Sequence, residues 1–389
     1  MNPSMLSRKT LHELPMTVHG GQAWKIGGIE DYSHNLNPFG PPDDIKDIIS
    51  SSIEGIDHYP DDNSTELKEA ISERFHVGME NIIIGAGSSD IIRMFPNTFI
   101  EDGETVIIPS PSFAEYTHQC RIVGARVITQ DLESKDDFHM DFDLLKSKID
   151  DNVKAVYICN PNNPTGYLYT RKEMQRLRDI VKKHGLFLFS DEVYREFIYT
   201  GMPYISAFHL DGIEENVVLF DSVSKRYSEC GTRIGCLCTK NKSVHDAVMK
   251  FCQARLSPPL LGQIVAEASI DVPKDYLSGV YEEYLDRRNF LIDGLNKIPG
   301  VYSPIPMGAF YTMAKLPVDD AEKFCIWCLN EFRWNGATVM MAPASGFYTE
   351  PGEGKQEVRI AYVLCKEDLA AALEVLRKAL EQYPGRVEA

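Results

Sequence analysis

Residues 155–193 read AVYICNPNNPTGYLYTRKEMQRLRDIVKKHGLFLFSDEV. Two short apolar runs, AVYIC and LFLF, bracket a polar segment, TRKEMQRLRDIVKKHG, whose hydrophobic residues recur at helical spacing. The runs are continuously apolar rather than alternating, as strands buried on both faces must be. Strand, helix and strand in that order predict a parallel pair joined by a crossover. The pattern continues outward in both directions. NIIIGAG (81–87), ETVIIPS (104–110), ARVITQDL (125–132), NVVLFDSV (216–223) and IGCLCTK (234–240) are further runs of this kind. The expected fold class is therefore α/β, with a mostly parallel seven-stranded sheet flanked by helices.

Near residue 276 the pattern changes. DYLSGVYEEYLDRRNFLIDGLNK (275–297) reads as one long amphipathic helix. GAFYTMAKL (308–316), a helix over 319–334, the strand-like VRIAYV (358–363) and a final helix, EDLAAALEVLRKALEQY (367–383), follow it. This predicts a smaller α+β domain over 276–389 beside a large domain over 46–275. Residues 1–45, with HGG and NPFGPP, are too broken for a sheet core and are expected to form an arm belonging to the small domain.

Composition narrows the function. The 389 residues carry 57 Asp and Glu against 40 Lys and Arg, a net charge of −17. With no basic cluster, nucleic acid and anionic membranes are not expected partners. No run of about 18 apolar residues suggests a membrane span, and the N-terminus lacks the apolar core of a secretion signal. Nine cysteines are too sparse and irregular for a disulfide framework. Cys325 and Cys328 form a CxxC inside a helical pattern and are read as packed thiols rather than a redox or metal pair. No metal site is expected, and the expected compartment is a reducing cytoplasm.

The chemistry gathers at strand-to-loop junctions, where doubly wound sheets hold their ligands. In FDSVSKRYSECGTRIG (220–235), Lys225 follows a strand, with Ser222, Ser224 and Arg233 nearby. A desolvated lysine becomes a good imine-former, and two hydroxyls with an arginine suit a phosphate monoester. The bland reading of this motif is a surface loop. Asp191 closes the run LFLFSD, where a buried carboxylate needs a cation or several donors, such as a protonated pyridine nitrogen. Tyr194, three residues on, can donate to a phenolic oxygen; the alternative for Asp191 is a helix cap. NPNNPTG (160–166) is a turn that frees Asn amides, or only a turn. GAGSSD (85–90) presents N–H groups to an anion at a helix start, though such turns are common.

In this order and spacing the motifs resemble fold-type I pyridoxal-phosphate enzymes, specifically the class I/II aminotransferases, over nearly the whole chain. The resemblance implies pyridoxal 5′-phosphate as cofactor, carried by Lys225 as an internal aldimine. It implies that Asp191 pairs with the pyridine nitrogen and that Tyr194 and Asn163 bond the ring's phenolic oxygen. Ser88, Ser89, Ser222, Ser224 and Arg233 would hold the phosphate, and Phe113, in PSFAEY, would stack on the ring. Tyr59, in HYPDD, would reach the phosphate of a neighbouring subunit, which implies a homodimer with shared active sites. Arg359 would clamp the substrate α-carboxylate, with Asn163 and Gly40 beside it. Arg255 is a candidate for reading a distal carboxylate or phosphate, against the reading of a plain salt bridge; His19, Lys25 and His34 are weaker ones.

The two halves of the chain resemble different members. HNLNPFGPP (34–42), HYPDD and PSFAEY are most similar to threonine-phosphate decarboxylases and histidinol-phosphate aminotransferases. SVSKRYSECGTRIG, PMGAFYTM and VRIAYV are more similar to aspartate-type or broad aminotransferases. The second half carries Lys225 and Arg359, so the expected activity is transfer of an amino group from an aspartate-like or broad range of L-amino acids to a 2-oxo acid. L-threonine-O-3-phosphate decarboxylase and histidinol-phosphate aminotransferase are the alternatives. One segment departs from the family pattern: APASGFYTEPGEG (342–354) replaces the usual PGxxFG run before the carboxylate arginine.

Overall fold

A computed structural model gives the fold and describes residues 29–31, 45–132, 138–272 and 274–388. Its strands, in chain order, are β1 (Ile29–Asp31), β2 (Ile82–Gly85), β3 (Thr105–Ser110), β4 (Arg126–Asp131), β5 (Val153–Cys159) and β6 (Phe187–Asp191). They continue with β7 (Val217–Ser222), β8 (Gly235–Cys238), β9 (Tyr311–Lys315), β10 (Thr338–Met340), β11 (Ala342–Pro343) and β12 (Glu357–Ala361). Strands β2 to β8 form a seven-stranded sheet in the order β2-β8-β7-β6-β5-β3-β4. Only β8 runs antiparallel to its neighbours, so the sheet is mostly parallel, as the sequence predicts.

The continuous apolar runs are explained by burial on both sides. Val106, Ile108, Phe189 and Val218 enter one apolar cluster, while Ile107, Val156, Leu188 and Val217 enter another. Alternate residues of one strand point to opposite faces, so each face has its own core. The crossover between β5 and β6 is the helix Arg171–His184. It starts at a capping box formed by Thr170 and Glu173 and ends at Gly185, whose φ of 65° closes the last turn. It buries Met174, Leu177, Ile180 and Val181, one stripe at helical spacing.

Beyond the helix Lys274–Leu295, β9, β12 and β11 form an antiparallel sheet in the order β11-β12-β9. One detail differs from the sequence reading. The helix expected over 319–334 spans Ala321–Asn330: Glu331 leaves helical geometry at φ of −120°, and beyond it Asn335 and Gly336 adopt φ of 52° and 83° and fold Trp334 back onto Ala337. Asn-Gly is a strong tight-turn pair. One addition to that reading lies in the arm, read as too broken for a sheet core, where the three-residue β1 pairs in parallel with β10. Within the helix Ala321–Asn330, burial pushes the Cys328 thiol up to about 12 and raises Cys325 as well. Two such thiols pack as apolar groups. Among the described residues no cluster of three or more His, Cys, Asp or Glu could hold a metal, and no helix is long and apolar enough to cross a membrane.

The functional edge depends on one glycine. Gly235 opposes both Gly85 and Ser222 in the sheet register. A Cβ on it would lie 2.6 Å from the Ser88 nitrogen, 2.9 Å from the Gly87 carbonyl carbon and 3.0 Å from the Asp221 oxygen, all backbone atoms. Gly235→Ala should therefore lower the unfolding free energy by about 1–3 kcal/mol, the usual range for overpacking. Chemical denaturation checks this, and an unchanged midpoint would refute the steric reading.

Candidate active site

The carboxyl ends of β3, β5, β6 and β7 meet the turn after β2 around a cavity of about 190 Å³. Ten residues singled out in the sequence line it: Ser88, Ser89, Phe113, Asn163, Asp191, Tyr194, Ser222, Ser224, Lys225 and Arg233. They come from five separate segments, brought together by the parallel register that sets Asp191 beside Cys159 and Phe220.

Lys225 sits in the one-turn helix Val223–Arg226 that follows β7. Its side chain faces the cavity and keeps some accessible surface, but protein otherwise encloses it. Burial pushes its amine down to about 8; nearby Arg359 and Arg233 lower it further, while Cys230 and Asp191 oppose them. Such an amine has a substantial neutral, nucleophilic fraction near neutral pH. Asp191 closes the floor at the end of β6. Burial pushes its carboxyl up to about 6, although Tyr116 donates to its Oδ2 at 2.6 Å and the Val193 N–H to its Oδ1 at 3.2 Å. A cation brought in by a ligand would relieve that cost.

At the other end, the turn Gly85–Ser89 opens the helix Ser88–Phe99. Its first N–H groups have no partner within the helix and suit an anion. Gly87 has φ of 84°, and a Cβ there would strike the Arg233 guanidinium, so only glycine lets this arginine approach the turn. Ser222 Oγ accepts from Ser224 N–H at 3.1 Å and lies 2.9 Å from the Ile234 carbonyl to which it donates. This set fits a phosphorylated pyridine aldehyde: an amine to condense, a carboxylate for a ring nitrogen, an aromatic ring in Phe113, and N–H groups with an arginine for the phosphate.

Arg359, on β12, is 5% exposed. It donates Nη1–H to Asn163 Oδ1 at 2.9 Å, and its guanidinium carbon lies 4.5 Å from the Tyr311 ring centroid and 4.8 Å from that of Phe347. Two aromatic faces and an amide thus hold the cation at the rim, beside the cavity-lining Asn163.

A family model described as aminotransferase class I and II matches residues 29–376. The chain belongs to that family. It is 29% identical to an aromatic-amino-acid aminotransferase 2 of Thermococcus litoralis, with 98% of this chain and 97% of that one covered. It is also 29% identical to an aspartate aminotransferase of Pyrococcus horikoshii, with 88% of each covered. Among solved structures, an aromatic aminotransferase from Pyrococcus horikoshii superposes with a TM-score of 0.82 at 27% identity, covering 90% of this chain and 95% of that one.

Of the residues singled out in the sequence of this aminotransferase, Tyr59 and Arg255 do not line this cavity, and the sequence assigns Tyr59 to a neighbouring subunit's site rather than to its own. Tyr59 is 86% exposed. Arg255 is taken up by Asp90 Oδ2 and the Ile84 carbonyl. Gly40, with His19, Lys25 and His34, lies outside the described residues. Conversely, the sequence reading passed over Tyr116, Tyr311 and Phe347. Tyr116 follows Phe113 by three residues in PSFAEY, so one helical turn brings it under the same cavity; that spacing was the available signal. Phe347 lies in the segment that departs from the family pattern.

The Tyr116 bond has a readable sign. Its O–H favours the ionised form of Asp191, so Tyr116→Phe should raise the Asp191 pKa above about 6. In the cofactor-free protein the Asp191 titration should move up by about one to two pH units, as for a lost hydrogen bond to a charged group. Carboxyl NMR titration of the cofactor-free protein checks this, and a titration superposable on that of the wild type would refute the role.

Proposed function

We propose that this aminotransferase binds pyridoxal 5′-phosphate at Lys225 and moves the amino group of an L-amino acid, from an aspartate-like or broad range, to a 2-oxo acid. The observation that carries the reading is geometric: the Lys225 amine shares one cavity with the Asp191 carboxylate, Asn163, Tyr194 and Arg233. When bound, the cofactor supplies a ring that draws electron density from the substrate α-carbon. The protein does the rest. Arg359 takes the α-carboxylate, with Asn163 fixing the guanidinium plane. Asp191 would keep a proton on the ring nitrogen, and Tyr194 would donate to the ring's phenolic oxygen. Phe113 would keep water from one ring face, and Lys225 Nζ would accept the α-proton and return it.

Several observations bear on the donor. Arg255 is occupied by Asp90, which argues against a dedicated distal-carboxylate reader at that position and favours a broad donor range. The relatives above act on aspartate or aromatic amino acids by name. Their similarity runs through the N-terminal motifs as well as the C-terminal ones, which disfavours the decarboxylase and histidinol-phosphate readings. The test is a donor screen on cofactor-loaded protein with 2-oxoglutarate, reading glutamate and carbon dioxide together. Glutamate from aspartate or an aromatic donor is expected, and Lys225→Ala should abolish it. Carbon dioxide from phosphothreonine, with no glutamate from any donor, would overturn the reading.

The same reading takes the working unit as a homodimer, with Tyr59 reaching toward the partner's phosphate. Ile53, Ile56 and Leu256 are exposed like Tyr59. Ser257 holds Leu256 beside the Tyr59 segment by bonds to the Pro60 and Asp61 carbonyls. An apolar patch of this kind is suited to a protein interface. It takes residues 46–275 as the cofactor domain and 276–389, with the 1–45 arm, as the smaller one, in a reducing cytoplasm that suits nine free cysteines. Sedimentation should give the dimer mass at assay concentrations; a fully active monomer would sink the shared site.

A further inference from the structure

The Gly85–Ser89 turn carries an anion of its own. Asp90 Oδ2 accepts the Ala86 N–H at 3.0 Å, and its side chain is 7% exposed. A buried carboxylate therefore shares the helix start that offers Ser88 and Ser89 to a phosphate. Two anions at one helix N-terminus repel each other, and the low dielectric of a buried site screens that repulsion weakly. Two arginines answer Asp90. Arg93, 58% exposed, reaches Oδ1 at 3.0 Å. Arg255, only 19% exposed, meets Oδ2 directly and also donates Nη2–H to the Ile84 carbonyl at 3.3 Å. Its Nε–H is fixed on the Leu256 carbonyl at 2.9 Å, and the neighbouring Ser257 is tied to Pro60 and Asp61.

We infer that Arg255 is a positioning residue for the cofactor phosphate: it neutralises Asp90 behind the turn, so that the N–H groups of Ser88 and Ser89 remain available to the phosphate dianion. Asp90 in turn keeps the Ala86 N–H satisfied and the turn closed. Arg233 contacts the phosphate side of the same turn, and Arg255 balances charge from the outside. The pair thus accounts for the arginine that the sequence suggested for a substrate's distal anion. This inference rests on the proposed use of pyridoxal phosphate, and its test separates the two.

The experiment measures binding of pyridoxamine 5′-phosphate, which forms no bond with Lys225, and of unphosphorylated pyridoxamine, to wild type and variants by fluorescence titration. In wild type the phosphorylated ligand should bind far more tightly. Arg255→Gln should weaken it about tenfold and leave the unphosphorylated ligand unchanged, while Arg255→Lys should recover most of the loss. Adding Asp90→Asn to Arg255→Gln should also recover affinity, because the repelling carboxylate is gone; a purely structural brace would lose more. Circular dichroism melting identifies any variant that fails to fold, in which case the comparison rests on Arg255→Lys. Wild type that shows no preference for the phosphorylated ligand would overturn the cofactor reading. Wild type with the preference, alongside Arg255→Gln with equal affinity or a double variant without recovery, would overturn the role of Arg255 alone.

Discussion

The close backbone approach at Gly235 is the constraint on which the site rests. The only reversed strand of the main sheet passes between the end of β7 and the turn after β2, with no room for a side chain. That contact fixes Ser222 and the Gly85–Ser89 turn against each other. Lys225 follows Ser222 by three residues, so its amine inherits the same frame. The aromatic and amide groups that hold Arg359 of β12 at the opposite rim come from β9, the turn after β11 and the turn after β5, and they meet this frame through Asn163.

Charge is the second organising force. The cavity holds a lysine, an aspartate and an arginine, with Arg359 at its rim; Asp191 and Arg359 are buried, Lys225 is half-buried and Arg233 is exposed. Isolated ions in such a setting are costly, and each here has compensation: O–H and N–H donors for Asp191, two aromatic faces and an amide for Arg359, a backbone carbonyl for Arg233. What remains unbalanced is informative. Burial keeps Asp191 up and Lys225 down, the directions that a ligand bringing a ring cation and an electrophilic carbon would exploit.

Much of this was legible in the sequence. The seven strands stood out because burial on both faces leaves no polar alternation to confuse them with a surface strand. The cavity residues stood out because a parallel sheet exposes its chemistry at one edge, and each motif sat directly after an apolar run. What was not legible depended on contacts between distant segments. Arg255 has no sequence mark that distinguishes a ligand reader from a partner of Asp90, 165 residues away. Tyr116 carries the helical spacing of a core aromatic, and only the fold shows its O–H meeting Asp191. The tight turn beyond the helix that follows Asp320 was written in Asn335–Gly336, a local signal outweighed by the apolar periodicity preceding it.

The segment that departs from the family pattern also joins two halves of the molecule. The Phe347 carbonyl accepts the Ser112 N–H at 3.0 Å, and the Thr349 N–H reaches Ser110 Oγ at 3.3 Å, just beyond the end of β3. The ring that supports Arg359 is therefore stitched to the main sheet by a seam of two hydrogen bonds. At about 1 kcal/mol each, such bonds add little to stability but are strongly directional. The seam thus acts as a key rather than a clamp: one backbone amide from each side fixes the register in which the Phe347 segment lies against the end of β3.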